Sequence, residues 1–331
     1  DDAEGNIRYR RINHTWVNGK CKCCGANKEQ WKRDKELETY AYELIHLSDP
    51  EEIFNMKFDV IIGNPPYQLN TGGGSAQAMP IYDKFVLSAK KLNPRYLSMI
   101  IPSRWFAGGM ALDKFRKEML EDTHITKLVD FSNAKDCFPG ASIGGGVCYF
   151  LRDRERSGLC DVTNQHNGNI TKSVRALNEY DIFVRYNEAV DIIKKVNSYG
   201  VTPMSTICSS LSPFGINSSE RGHEKPFDNS ITLYSSKGIG YIKETVELKQ
   251  NPLFNQYKVM VSKTTAEHAG EPDKDGKFKV LSTIKILNPK DVCTFSYFVI
   301  SGVNNHAECE NLVSYLKTKF ARFLILQAVS S

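Results

Sequence analysis

Long apolar runs are missing from this sequence of 331 residues. No window approaches the roughly 18 consecutive apolar residues that a membrane-spanning helix needs. The acidic start DDAEGNIRYRR also lacks the features of a signal peptide. Long blocks of Lys or Arg are missing too, so the net charge of +5 permits a polyanionic partner without requiring one. These absences argue against a membrane partner, and we expect a cytoplasmic protein.

A disulfide framework is not expected, because the nine cysteines are odd in number and scattered along the chain. Reduced thiols in an intracellular compartment fit this pattern better. The stretch CKCCG contains a Cys-x-x-Cys-Gly knuckle in which Cys21 and Cys24 could hold zinc as thiolates, with His14 or Cys23 nearby. A second ligand pair at zinc-ribbon spacing is missing. The sequence therefore assigns no metal ligand and leaves zinc binding by Cys21 and Cys24 open.

The length of the chain and its ordinary composition, 41% apolar and 24% charged, indicate about two globular domains. Residues 1–50 are polar and are predicted to form an arm or insertion with the cysteine knuckle. Residues 51–155 alternate apolar strands with amphipathic helices, which predicts an α/β architecture. Residues 156–200 are predicted to be a polar connecting segment and a helix closed by Gly200, and residues 201–331 an α+β domain that ends in a helical stretch.

Four strands and two helices are predicted within the α/β region. The strands are FDVIIG, expected to be buried, RYLSMIIPS, ITKLVDF and GGVCYFLRD, and the helices are IYDKFVLSAKKL and LDKFRKEMLED. The glycine-rich stretch TGGGSAQA follows the first strand but lacks the spacing of a P-loop or a dinucleotide-binding turn. This favours a loop near the substrate over a phosphate cradle.

The first strand ends in the turn Asn64-Pro65-Pro66-Tyr67, whose prolines have fixed φ angles and stiffen the backbone. Neither proline has an N–H, so the turn offers carbonyl oxygens, to which Asn64 adds a side-chain oxygen. Two converging acceptors suit an amino group with two hydrogens, such as adenine N6, and would localise its lone pair for attack on a methyl sulfonium. Tyr67 supplies a flat face on which a flipped base can stack. A simple strand terminator is the alternative interpretation of this turn.

The turn resembles the signature motif of N6-adenine-specific DNA methyltransferases, and three later stretches extend the resemblance. YLSMIIPSRWF, LDKFRKEMLEDTHITKLVDF and CFPGASIGGGVCYFL are similar, in order and spacing, to catalytic-domain segments of the methylase parts of bacterial restriction-modification proteins. The resemblance implies a partial Rossmann-like methyltransferase sheet, the C-terminal half of a catalytic domain, followed by a target-recognition domain over residues 201–331. It implies that Asn64, Pro65, Pro66 and Tyr67 hold the target adenine and that Phe138, in CFPG, packs on the flipped base.

The same resemblance implies S-adenosylmethionine as the methyl donor and double-stranded DNA as the substrate. Such methyltransferases carry a glycine-containing cofactor turn upstream of the asparagine motif, and the 63 residues before Asn64 contain none. We therefore expect the C-terminal portion of a longer methyltransferase, inactive alone, whose cofactor-binding residues lie in upstream domains of the parent chain. Fusion of the parent to a restriction endonuclease is also left open.

Two rival functions remain open at this point. The chain could recognise DNA as a specificity module without catalysis. It could also methylate a protein or RNA amine, because the same tetrapeptide serves such enzymes.

Several other side chains are weaker candidates for function. Arg104, Trp105 and Phe106 follow a strand and could contact DNA or the target base, or could pack at the start of a helix. Lysines of the C-terminal domain could neutralise phosphates, namely Lys237, Lys243, Lys258 and Lys263. A loose nuclease-like pattern of Asp228, Glu247 and Lys249 is expected to consist of exposed charges.

Overall fold

The computed structural model describes residues 14–25, 27–28, 43–46, 50–52, 56–69, 79–107, 109, 111–141, 143–166, 168–263, 280–303 and 305–328. The glycine-rich stretch at residues 71–78 lies outside these described residues. The chain divides into two compact units, Asp1–Asn187 and Glu188–Val329. Among the helices of the described segments, none combines the length and apolar character that a membrane crossing requires.

A small hairpin opens the described part of the first unit. Strands β1 (Trp16–Val17) and β2 (Lys20–Cys21) pair antiparallel. The two residues between them, Asn18 and Gly19, have φ angles of 49° and 76°. Positive φ at both central positions is typical of the tight hairpin turn that an Asn-Gly pair favours. The sequence therefore turns the chain sharply just before the cysteine knuckle.

Helix α1 (Glu43–His46) is a single turn that packs near this hairpin. Its Ile45 is buried in a small apolar cluster together with Cys21 and Cys24. The polar segment predicted as an arm thus contains its own small cluster of buried side chains.

The remaining strands of the first unit form a short hairpin and one large sheet. In chain order they are β3 (Val60–Gly63), β4 (Gln68–Leu69), β5 (Met79–Pro80), β6 (Tyr96–Pro102), β7 (Ile125–Phe131), β8 (Val147–Asp153), β9 (Cys160–His166) and β10 (Asn169–Arg175). Strands β4 and β5 pair antiparallel, and the other six form a mixed sheet in the order β10-β9-β7-β8-β6-β3. Because β8 is antiparallel to both β6 and β7, and β3 is parallel to β6, the carboxyl ends of β3, β6 and β7 lie along one edge.

Two amphipathic helices cover this sheet and confirm the two predicted helices. Helix α2 (Tyr82–Lys91) precedes β6, and helix α3 (Asp113–Glu121) precedes β7. Their apolar faces enter the core with the inward side chains of β6, β7 and β8. The mixed α/β architecture expected from the sequence is therefore present.

The predicted burial of the strand FDVIIG is wrong for one of its faces. Strand β3 lies at the edge of the sheet, where Val60 is 50% exposed and Ile62 is 78% exposed. Ile61 points to the other face and packs against the core. A continuous apolar run predicts burial on both faces, but within the described residues only one face of β3 is covered.

Of the two roles left open for Trp105 and Phe106, the structure supports packing and not contact with DNA or the target base. They lie in a 3-10 turn directly after β6 and are 0% and 4% exposed. The ring centroids of the two residues are 4.8 Å apart, and Phe183 packs against both rings. Large aromatic side chains gain most from burial, so these two serve the core, as the alternative interpretation predicted. Arg104 between the strand and these rings is partly exposed.

The polar stretch predicted as a connecting segment contains the strands β9 and β10. Its inward positions include Val162 and Asn164, so the apolar alternation that marks a strand is weak there. Strand β10 is the other edge of the sheet and is largely exposed. The predicted helix is present as α4 (Asn187–Ser198), and Gly200 follows it with a φ angle of 63°, as expected of a C-terminal stop.

In its described residues, the second unit has two three-stranded sheets and three further helices. Strands β11 (Ser230–Ser235), β12 (Gly238–Lys243) and β15 (Val292–Cys293) form one sheet, and β13 (Lys258–Ser262), β14 (Ile284–Leu287) and β16 (Tyr297–Ile300) form the other. Helices α5 (Val246–Gln250), α6 (His306–Leu316) and α7 (Lys319–Ala328) complete the unit. The single C-terminal helical stretch of the prediction is therefore two helices.

The break between α6 and α7 has a local cause. The hydroxyl of Thr318 accepts a hydrogen bond from the backbone N–H of Ala321, at 3.1 Å. A threonine in this position caps the start of a new helix better than it continues an old one.

Lys258, considered for a phosphate contact, is buried within the second unit. This lysine is 0% exposed, and its ammonium donates to the carbonyls of Gln256 and Asn288 at 3.0 and 3.2 Å. Burial lowers the pKa of Lys258 to about 8. A side chain enclosed in this way serves the fold of the second unit and cannot reach a DNA backbone.

The other basic and acidic candidates of the second unit lie at the surface to different degrees. Lys263 is partly buried, with its ammonium 3.3 Å from the ring centroid of Phe295. Lys237 and Lys243 are exposed and stay candidates for phosphate contacts. The nuclease-like pattern consists of exposed charges, as expected, at Asp228, Glu247 and Lys249.

Candidate functional site

The turn after β3 places its four residues at different depths. Asn64 is exposed, Pro65 is buried, and Pro66 and Tyr67 are half-buried. The turn lies at the sheet edge where β3, β6 and β7 end, which is where open α/β sheets bind their ligands. The asparagine side chain is therefore accessible to a ligand while the proline after it is fixed against the protein.

Tyr67 is anchored through its backbone, and the hydroxyl of its side chain is buried. Its carbonyl accepts a hydrogen bond from the N–H of Ile81, at 3.2 Å, at the start of α2. Its hydroxyl is buried and has no hydrogen-bond partner among the described residues. Burial, with a smaller contribution from the neighbouring thiols of Cys137 and Cys148, raises the pKa of Tyr67 to about 12. The ring is thus inserted toward β8 and the loop before it, with its other side at the surface.

Phe138 belongs to this same loop. Its N–H donates to the carbonyl of Ala134 at 2.8 Å, and its own carbonyl accepts from the N–H of Ala141 at 3.0 Å. The side chain is half-buried. The charge of Cys137 raises the pKa of Tyr67, so the loop that holds Cys137 and Phe138 lies close to the turn. No ring contact joins Tyr67 and Phe138 within the described residues, so the two aromatics do not stack on each other.

A buried polar network fixes the ends of β6 and β7 beside the turn. The carboxylate of Asp130 is 0% exposed and accepts hydrogen bonds from Ser103 at 2.8 Å and from Arg185 at 2.7 and 2.8 Å. Although burial alone would lower the pKa of Arg185, the charge of Asp130 outweighs it and raises that pKa. Two bonds from one guanidinium hold the pair in a defined geometry.

Gly146 is required where the chain passes this network. It has a φ angle of 80°, and a Cβ atom built on it would lie 2.1 Å from the carbonyl oxygen of Phe131 and 2.7 Å from Arg185. Sequence reasoning missed Asp130, Ser103 and Arg185. Ser103 follows β6, Asp130 lies on β7 and Arg185 lies between β10 and α4, so only the fold reveals that they meet, and no motif in the sequence marks them.

One group of metal-ligating side chains is found within the described residues. It lies in the N-terminal module, which we define as the described part of residues 14–46, with the β1–β2 hairpin, the cysteine knuckle and helix α1. It consists of His14, Cys21, Cys24 and His46, whose ligand atoms all lie within 4.8 Å of one another. The sequence pointed to the two cysteines and His14 but missed His46, because 21 residues separate it from Cys24 and no recognised ligand spacing marks it.

Residues 1–138 match the family model described as Eco57I restriction-modification methylase. A curated relative from Mycoplasma pneumoniae (strain ATCC 29342 / M129 / Subtype 1), described as an adenine-specific methylase, is 42% identical over 142 residues. The aligned region is 40% of this chain and 34% of the relative, so the chain spans about a third of that relative's length. Both findings confirm the resemblance to adenine-specific methylases of the restriction-modification type.

Solved structures of restriction-modification enzymes give weaker matches. The type IIL enzyme MmeI in complex with DNA is 10% identical, covers 77% of this chain and 42% of its own chain, and gives a TM-score of 0.40. The type IIG endonuclease BpuSI is 12% identical, with coverages of 86% and 45% and a TM-score of 0.34. A type I methyltransferase subunit from Streptococcus thermophilus is 15% identical, with coverages of 45% and 34% and a TM-score of 0.26. Scores of this size carry no argument about the fold.

Proposed function

We infer, from the match of residues 1–138 to the Eco57I restriction-modification methylase family, that this chain is part of an adenine-specific DNA methyltransferase. The parent protein would transfer a methyl group from S-adenosylmethionine to N6 of an adenine flipped out of duplex DNA. The observation that carries the proposal is the geometry of the turn, in which Asn64 is exposed beside a buried Pro65 and an anchored Tyr67.

This geometry suits an exocyclic amine. The side-chain oxygen of Asn64 and the carbonyl of Pro65 would accept hydrogen bonds from the two N–H groups of N6. The nitrogen would become more pyramidal, and its lone pair would be less delocalised into the ring. Because the turn is stiff before the base arrives, little ordering is left to do when the base enters. S-adenosylmethionine would supply the activated methyl group on its sulfonium.

Tyr67 and Phe138 would hold the flipped base by contact with its flat faces. The hydroxyl end of Tyr67 is buried and the residue as a whole is half-buried, so a base could stack on the accessible side of its ring. Phe138 lies in the loop next to Tyr67 and would pack against the base from another direction. Stacking of this kind is worth about 1–3 kcal/mol per base.

The strand order supports a second proposal about the fold. We assign β3, β6, β8 and β7 to the second half of a Rossmann-like methyltransferase sheet, since parallel strands end together at the candidate site. Upstream domains of the parent would then supply the remaining half and most of the cofactor pocket. This chain alone is therefore proposed to be inactive, and residues 201–331 are proposed to be the target-recognition domain.

Duplex DNA would contact the second unit through exposed cations. Lys237 lines a cleft of about 270 Å³ together with Arg221 and His223. Lys243 is exposed on the neighbouring strand β12. Contacts of this type give affinity for phosphate without reading sequence.

The test is Asn64→Ala in the full-length parent. Loss of one of two acceptors should lower kcat for methyl transfer by about 100-fold or more, with little change in DNA affinity. Gln68→Ala is the matched control, since Gln68 is an exposed amide on the same segment that is given no role. The isolated chain should show no transfer. Methylation by Asn64→Ala near the parental rate would overturn the proposal.

A further inference from the structure

The N-terminal module holds two thiols and two imidazoles around one point. The Sγ atom of Cys21 lies 3.6 Å from Nε2 of His46, and the Sγ atom of Cys24 lies 3.5 Å from Nδ1 of His14. The two imidazole nitrogens are 3.2 Å apart. All four ligand atoms fall within 4.8 Å of one another.

The two sulfur–nitrogen distances and the nitrogen–nitrogen distance match the edges of a tetrahedral zinc site. With Zn–S bonds of about 2.3 Å and Zn–N bonds of about 2.0 Å, a sulfur and a nitrogen lie about 3.5 Å apart and two nitrogens about 3.3 Å apart. Hydrogen bonds alone can explain single pairs of this length. They do not require that both thiols and both imidazoles aim their ligand atoms into one small volume.

The local backbone is built for this convergence. The tight turn at Asn18 and Gly19 reverses the chain, so that β2 pairs with β1 and ends at Cys21, the first residue of the knuckle. The N–H of Gly25 donates to the carbonyl of Cys21 at 2.9 Å, and Gly25 has a φ angle of 78°. A glycine after the second cysteine lets the chain fold around the bound ion. The knuckle is thus closed by backbone hydrogen bonding as well as by its thiols.

Burial indicates a structural site. Cys21 and Cys24 are 3% and 2% exposed, and four protein ligands leave no position for a substrate. We propose that His14, Cys21, Cys24 and His46 bind one zinc ion, which holds the β1–β2 hairpin and helix α1 together.

The proposed zinc site would also stabilise the candidate active site through contacts with helix α2. The cluster that contains Cys21 and Cys24 includes Ile81 and Phe85 of the α2 region. Lys84 on α2 donates to the carbonyl of Cys23. Ile81 in turn donates its N–H to the carbonyl of Tyr67. Zinc would therefore fix a module that packs directly on the residue anchoring the asparagine turn.

Metal analysis of this chain, purified without a histidine tag from zinc-supplemented medium, tests the site. About one zinc ion per chain is expected to survive gel filtration with a weak chelator. Cys24→Ser and His46→Gln should each lose it. Cys23→Ser is the matched control and should retain zinc, because the Cys23 sulfur is not among the four converging ligand atoms.

X-ray absorption at the zinc edge of the unaltered protein keeps the test valid if a variant fails to fold. The proposal predicts two sulfur neighbours at about 2.3 Å and two nitrogen neighbours at about 2.0 Å. Protein that binds no stoichiometric zinc would overturn it. So would zinc retained by both variants, zinc lost from Cys23→Ser, or a shell of different composition.

Discussion

Lys258 makes the stability of the second unit depend on pH in a predictable direction. Its pKa falls from 10.5 to about 8 on folding, because burial disfavours the charged ammonium more than the charge of Asp291 favours it. Between these two values the unfolded chain binds more protons than the folded chain. Stability must therefore rise as pH increases through this window.

The size of the effect follows from the shift. A difference of about 2.5 pKa units corresponds to about 3 kcal/mol, all of which opposes folding below pH 8. Raising the pH from about 7 to about 9.5 should recover about 2 kcal/mol of this cost. The remainder would return only above the unfolded pKa.

The assay compares the unaltered chain with Lys258→Met. Other groups titrate in the same window, but their effects cancel in the difference between the two proteins. The free energy of unfolding is measured in urea, with proteolysis reporting on the second unit. Between pH 7 and 9.5 it should rise by about 2 kcal/mol more for the unaltered protein than for Lys258→Met. Lys237→Met should change nothing, since Lys237 is exposed. A stability difference that is flat across this pH range would refute the reasoning.

Two further predictions concern the first unit. Tyr67→Phe should keep base capture and raise stability by up to about 1 kcal/mol, since the lost hydroxyl is buried without a described partner. Tyr67→Ala should abolish the fluorescence rise of 2-aminopurine at the target position in the full-length parent, and an equal response from both variants would contradict this. Arg185→Met should cost about 3–5 kcal/mol, because it leaves the buried Asp130 carboxylate without its cation. Thermal unfolding followed by tryptophan fluorescence measures this, and a loss no larger than that of Lys117→Met, an exposed ion-pair control on α3, would contradict it.

The large sheet of the first unit was predictable because its periodicity is strong. Strands β6, β7 and β8 and helices α2 and α3 all carry apolar faces that a single sequence reveals. The exposure of Ile62 was not predictable, since an apolar strand has the same sequence pattern at an edge as in the middle of a sheet. Strands β9 and β10 escaped detection because their inward positions include polar side chains such as Asn164.

Part of the candidate site was likewise predictable from the sequence, and part was not. Asn64 and Tyr67 are found from local chemistry, because four consecutive residues carry the whole argument. The Asp130–Arg185 pair and the addition of His46 to the cysteine knuckle depend on contacts between residues far apart in the chain. For Lys258 the sequence was misleading, because a lysine expected at the surface is buried in the core of its own unit.

The most direct test of the central proposal is nucleoside mass spectrometry of duplex DNA treated with the full-length parent and S-adenosylmethionine. The account predicts N6-methyladenine as the product from the unaltered parent and none from Asn64→Ala. Methyl groups on cytosine, on RNA or on protein amides, or N6-methyladenine made equally by both proteins, would contradict it.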